Sequence, residues 1–172
     1  MPAVVTILLC CTAMRVQPGA AVQTRGDIVF YGDAKSPISA GVIIPPGRAM
    51  LWTSGTVPPL IDKAAPQGSA NRYGDTKTQA AGVLRAIESQ LKAQGLGLSD
   101  VIYLRVYVVP DANKGGKPDF AGWFEAYAQF FGNDTNPTKV ARSTIAVPAL
   151  VNPDWLIEIE AVAVYPAKGS GG

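Results

Sequence analysis

The sequence predicts an α+β fold, a mostly antiparallel six-stranded sheet with two helices on one face. Three observations predict it. Two stretches carry apolar residues at helical spacing on one side only. Six short runs are β-branched or alternate with period two. Their order along the 172-residue chain is strands, helix, strand, helix, strands, within a length that fits one domain.

The first two strands are Ile28-Val29-Phe30-Tyr31 and Gly41-Val42-Ile43-Ile44, each bounded by turn residues. Pro45-Pro46-Gly47 turns the chain into Ala49-Met50-Leu51-Trp52-Thr53, which ends at Ser54-Gly55. The Pro-, Gly- and Ala-rich stretch 58–74 reads as a loop. Asp75 then caps a helix in which Ala80, Val83, Leu84, Ile87 and Leu91 share a face, with Gly95 as the stop. Ile102, Leu104, Val106 and Val108 alternate with Tyr103, Arg105 and Tyr107, the pattern of a half-buried strand. A second helix is expected from Asp119 to Phe131, its aromatic stripe facing the core. Residues 140–147 and 156–164 form the last two strands, expected to pair as neighbours. In the last one Ile157, Ile159, Ala161 and Ala163 share one face and Glu158, Glu160, Val162 and Val164 the other. Carboxylates beside valines suggest that a partner subunit covers this second face.

Residues 1–22 read as a leader. The apolar run Ala3 to Met14 is too short to cross a bilayer, which takes ~20 residues, and suits the core of an export signal. No Lys or Arg precedes the run, so the usual basic start is missing. A cleaved leader implies a periplasmic or secreted protein, and an uncleaved extension a cytoplasmic one. The domain proper is expected over 23–167, with 168–172 a flexible tail.

Composition limits the chemistry. The chain has no histidine, which excludes a Ser-His-Asp triad, a Cys-His pair and a histidine base. Its only cysteines, Cys10 and Cys11, are adjacent, so neither a disulfide framework nor a zinc site is expected. A net charge of +2 gives no footprint for nucleic acid, and no stable membrane insertion is expected. Charged residues in apolar strands are the remaining candidates. Arg142 and Glu158 each interrupt such a run, at a desolvation cost that pairing or function must offset. One reading is an Arg142–Glu158 ion pair closing the sheet edge. The other is a guanidinium fork for a carboxylate, with Glu158 positioning water. Glu160 is the spare carboxylate, and Ser54-Gly55 offer a hydroxyl and a backbone N–H.

From Ser36 onward the chain resembles the reactive-intermediate deaminase family of RidA/YjgF type, also described as L-PSP endoribonucleases. The matching stretches are Trp52-Thr53-Ser54-Gly55, Gly74-Asp75-Thr76-Lys77-Thr78-Gln79, Asp119-Phe120 to Phe131, Ala141-Arg142-Ser143-Thr144 and Ile157-Glu158-Ile159-Glu160-Ala161. The resemblance implies a chorismate-mutase-like fold, a homotrimeric barrel with sites in the clefts between subunits, and no cofactor. It implies that Arg142 clamps a substrate carboxylate, that Glu158 orders the attacking water, and that Ser54, Gly55 and Thr144 line the site. The turn after Arg142, Ala149-Leu150-Val151-Asn152-Pro153, is longer than the compact turn usual in the family, and two further positions depart from its pattern: Ile38 follows Pro37 where a tyrosine is usual, and Phe124 stands where asparagine is frequent. Both make the pocket drier. The implied activity is hydrolytic deamination of small enamine or imine carboxylates to 2-oxo acids and ammonia. The alternative is a non-catalytic, trimeric carboxylate-binding or chaperone-like module; a ribonuclease fits less well without histidine or strong positive charge.

Overall fold

A computed structural model describes residues 21–167. The expected leader, apart from its last two residues, and the expected tail lie outside the described residues. The elements in order are β1 (Ala21–Arg25), β2 (Ile28–Gly32), β3 (Gly41–Ile43), β4 (Met50–Trp52), α1 (Ala70–Tyr73), α2 (Thr76–Ala93), β5 (Val101–Val108), β6 (Pro110–Asp111), β7 (Lys117–Pro118), α3 (Phe120–Ala128), β8 (Ala141–Ala146) and β9 (Ile157–Val164).

The class is α+β, but the strands do not form one six-stranded sheet. Among the described residues they make a three-stranded sheet β1-β2-β3, a four-stranded sheet β4-β9-β5-β8 and the small pair β6-β7. Strand β3 stops at Ile43, and Pro45-Pro46 remove two N–H donors where a ladder to β4 would continue. β1 falls where the sequence suggested a leader and the start of the domain; it pairs with β2 from Ala21↔Gly32 to Arg25↔Ile28. The stretch 58–74 is not loop throughout, because Ser69 caps the single turn α1 by accepting from the Asn71 N–H.

A second correction concerns the last two strands. β8 pairs with β5, in parallel, and β5 separates it from β9. The chain leaves β5, crosses through α3 and returns, and a strand–helix–strand connection of this kind gives parallel neighbours. The α3 helix also ends earlier than expected, at Ala128, although Phe131 beyond it is still buried.

Helix α2 forms as its sequence dictates. Asp75 accepts from the Thr78 N–H at 2.9 Å, and Gly95, at φ 75°, takes the left-handed turn just past the end. Val83, Leu84, Ile87 and Leu91 are fully excluded from solvent, each stabilising the fold by ~1.5–3 kcal/mol. They pack with Trp123 and Tyr127 of α3 on Leu104, Val106, Ile157, Ile159 and Ala161 of the four-stranded sheet. The other face of that sheet is partly covered from within the chain. Val162 and Val164 are buried with Ile28 and Phe30 of β2 and with Ile102, so no partner subunit is needed for them. Farther along the same face Trp52 (66% exposed) and Ile145 (48%) remain open.

Candidate active site

Arg142 lies on the outer strand β8 opposite Leu104 of β5. Leu104 belongs to the main core, so Arg142 points to the helix-covered face, under α3. Its guanidinium carbon sits 4.4 Å from the ring centre of Tyr127, 4.9 Å from Phe124 and 5.3 Å from Trp123. Three aromatic faces around one cation attract it through their quadrupoles, by ~0.5–2 kcal/mol per contact. Among the described residues no carboxylate joins them. Among the described residues Nη1 of Arg142 is buried and has no hydrogen-bond partner, and no Arg142–Glu158 ion pair forms. Burial lowers the Arg142 pKa, and Tyr127 opposes that shift; the group stays cationic, as arginine does in proteins.

The neighbours of Arg142 are already engaged. Thr144, two residues along the same face, accepts a hydrogen bond from Trp123 Nε1 at 3.2 Å. Tyr127 donates its hydroxyl to the Pro37 carbonyl at 3.4 Å, and burial pushes its pKa up to about 12. Ser39 forms a parallel bridge to Ala141, which sets Ile38 on the strand face shared by Val140 and Arg142. Ile38 is half-buried and packs on the main core.

Glu158 and Glu160 stand on the other face of the sheet, opposite Tyr107 and Arg105 respectively. Glu160 accepts from Arg105 Nη1 at 3.2 Å and from the Tyr107 hydroxyl at 2.9 Å, so it belongs to a surface network. Glu158 makes no ion pair among the described residues, and its pKa is raised, first by burial and then by the charge of Glu160.

The backbone beside Glu158 is shaped for it. Thr53 donates its N–H to Ala161 and Thr56 pairs with Ile159, so Ser54 and Gly55 together bulge opposite the single residue Glu160. Both are exposed. A Cβ on Gly55 would lie 1.7 Å from Oε1 of Glu158, so only glycine leaves room for the carboxyl. Gly55→Ala is therefore expected to displace the Glu158 carboxyl while the fold persists. Any turnover that uses Glu158 should fall ~10²-fold, the scale for an ångström of misplacement. Unchanged turnover with an unchanged melting temperature would show that Glu158 is not the working group.

The structure thus gathers Arg142, Thr144, Phe124 and Ile38 on one face and Glu158, Ser54 and Gly55 on the other. The expectation that Arg142 and Glu158 neighbour one another fails within a single chain. Adjacent strands are ~4.8 Å apart, so β8 and β9 lie about 10 Å apart across β5, and the two side chains leave in opposite directions. One small molecule cannot touch both. Sequence reasoning also passed over Trp123 and Tyr127 as site residues, because a one-sided aromatic stripe reads as core. The available signal was the pairing of that stripe with a lone arginine in the strand that follows.

Arg142 and Glu158 both lie within one family match. The family model described as Endoribonuclease L-PSP matches residues 34–165. A RutC family protein of Pyrococcus horikoshii is 35% identical over 137 residues, 80% of this chain and 96% of that protein. Escherichia coli TdcF, described provisionally as a reactive intermediate deaminase, is 34% identical over 119 residues, 69% of this chain and 81% of its own length. Among solved structures, E. coli TdcF with bound serine superposes with a TM-score of 0.54 at 30% identity, covering 77% of this chain and 97% of that one. The E. coli YjgF gene product does so at 0.53 and 32%, covering 77% and 91%.

Proposed function

The chain belongs to the Endoribonuclease L-PSP family, which includes the YjgF and Rid proteins, and from that premise we propose that it hydrolyses small enamine and imine carboxylates to 2-oxo acids and ammonia. The observation that carries this reading is Arg142: a desolvated cation, held by three rings, with a buried N–H that finds no partner among the described residues. Such a group suits a carboxylate, which accepts two parallel N–H bonds from the planar fork. The relative solved with serine holds a molecule that bears this group.

The second half of the site comes from another subunit. In a homotrimer, the α3–β8 edge of one subunit meets the helix-free face of its neighbour, and the exposed Trp52 and Ile145 of that face supply apolar surface for the contact. Arg142 of one chain then shares a cleft with Glu158, Ser54 and Gly55 of the next. Arg142 holds the carboxylate, which fixes the imine carbon beside a water on Glu158. The water adds to that carbon, and its proton passes to the Glu158 carboxylate. That proton goes to nitrogen; Glu158 then takes the proton of the new hydroxyl and delivers it to the same nitrogen as the C–N bond breaks, so the carbonyl forms and ammonia leaves. An imine carbon is already electrophilic, so orientation and one base are sufficient. Ser54 and the Gly55 N–H face the developing polar groups. Cleavage of RNA fits less well: the chain has no histidine and a net charge of only +2.

The test is turnover of freshly generated 2-iminobutanoate, followed as 2-oxobutanoate and ammonia against the spontaneous rate. Acceleration by catalytic amounts of protein is expected. Binding of 2-oxobutanoate without acceleration would make the chain a carboxylate-binding module.

A further inference from the structure

We infer that Phe124 sets the substrate class of the Arg142 site, favouring carboxylates with a bulky branched or aromatic side chain over acids of pyruvate size. The inference rests on Arg142 as the carboxylate clamp, and it concerns what lies beside the clamp. Trp123 and Phe124 are consecutive on α3, yet Trp123 is fully buried while Phe124 is 46% exposed. Phe124 nevertheless touches the site, with the Arg142 guanidinium 4.9 Å from its ring centre. Its ring also stacks on Phe120 one turn earlier, at 6.4 Å and 18° between planes. The two rings therefore extend an apolar wall outward from the cation.

The polar groups near that wall each already make a hydrogen bond within the chain. The Thr144 hydroxyl accepts from Trp123, and the Tyr127 hydroxyl donates to Pro37. Ile38 adds a further apolar side chain on the face of Arg142. A carboxylate held by Arg142 thus has ring surface beside the rest of its molecule. A methyl group covers little of that surface, whereas an isobutyl or benzyl group buries itself against it and gains affinity with each carbon.

Titration calorimetry with pyruvate, 4-methyl-2-oxopentanoate and phenylpyruvate tests this without requiring turnover. The two larger acids should bind about tenfold or more tightly than pyruvate, the range one or two well-buried methylenes give. Phe124→Asn should collapse that ratio while the protein still melts cooperatively as a folded species, and Phe124→Leu should keep most of the preference for the branched acid. Equal affinities in the wild type, or an undiminished ratio in Phe124→Asn, would overturn the inference. Tight binding of the larger acids with no hydrolysis of the corresponding imines would uphold it and remove the deaminase reading instead.

Discussion

Arg142→Ala should weaken binding of a 2-oxo acid by ~10- to 150-fold, the loss of a charge-assisted bidentate contact worth ~1.5–3 kcal/mol. Turnover should fall with it. The fold should survive. The guanidinium has no ion-pair partner among the described residues, so its removal leaves no carboxylate stranded, and the lost cation–π contacts are offset by relief of a desolvated charge. Arg142→Lys should bind nearly as poorly, because an ammonium offers a point charge where a planar fork stacked between rings is needed. Calorimetry and a melting curve on the same samples check both halves. Wild-type affinity in Arg142→Ala would end the carboxylate-clamp assignment.

The larger effect on rate belongs to Glu158. On the proposed mechanism, in which Arg142 holds the ligand, Glu158→Gln should retain binding and slow turnover by ~10²–10⁴, the scale for a positioned base. Glu160→Gln should differ. Glu160 is tied to Arg105 and Tyr107 at the surface, so its loss should cost stability of ~1 kcal/mol or less and alter turnover little. The pH profile gives an independent sign. Burial holds the Glu158 pKa above the ordinary 4.5, so the base is fully ionised only above that raised value. Turnover should rise with pH along an acid limb placed higher than 4.5, and Glu158→Gln should abolish the limb. Stability runs the other way. Because the folded-state pKa is raised, ionising Glu158 opposes folding, and the wild type loses a small increment as pH climbs from about 4.5 through the raised pKa. Equal turnover losses at Glu158 and Glu160 would leave Glu158 without a catalytic role.

How much of this was legible in the sequence differs by element. The α2 helix was readable to within a residue, because Asp75, the 80-83-84-87-91 stripe and Gly95 all point to the same segment. Arg142 and Glu158 stood out because each interrupts an apolar strand. Their relation was not readable. Which face a strand residue takes depends on which strand it pairs with, and the crossover through α3 places β8 beside β5, not β9. The burial of Val162 and Val164 was hidden for a similar reason: the hairpin that covers them lies over a hundred residues away in the chain. Strand β1 carries a weak, half-polar alternation that no local rule separates from a linker. The close fit of Gly55 to Glu158 needed coordinates, since a glycine after Trp52-Thr53-Ser54 reads simply as a turn.

On the proposed mechanism Arg142 and Glu158, on opposite faces of one sheet, act together only across a subunit boundary. Mixing the two inactive variants tests it most directly. Arg142→Ala and Glu158→Gln are unfolded together in equal amounts, refolded, and assayed with freshly generated 2-iminobutanoate beside each variant refolded alone. In a mixed ring, some clefts receive an intact Arg142 from one subunit and an intact Glu158 from the next. About a quarter of the wild-type activity is expected from random assembly of a cyclic oligomer. A mixture as inactive as its components, with hybrid oligomers verified by mass, would contradict the shared site.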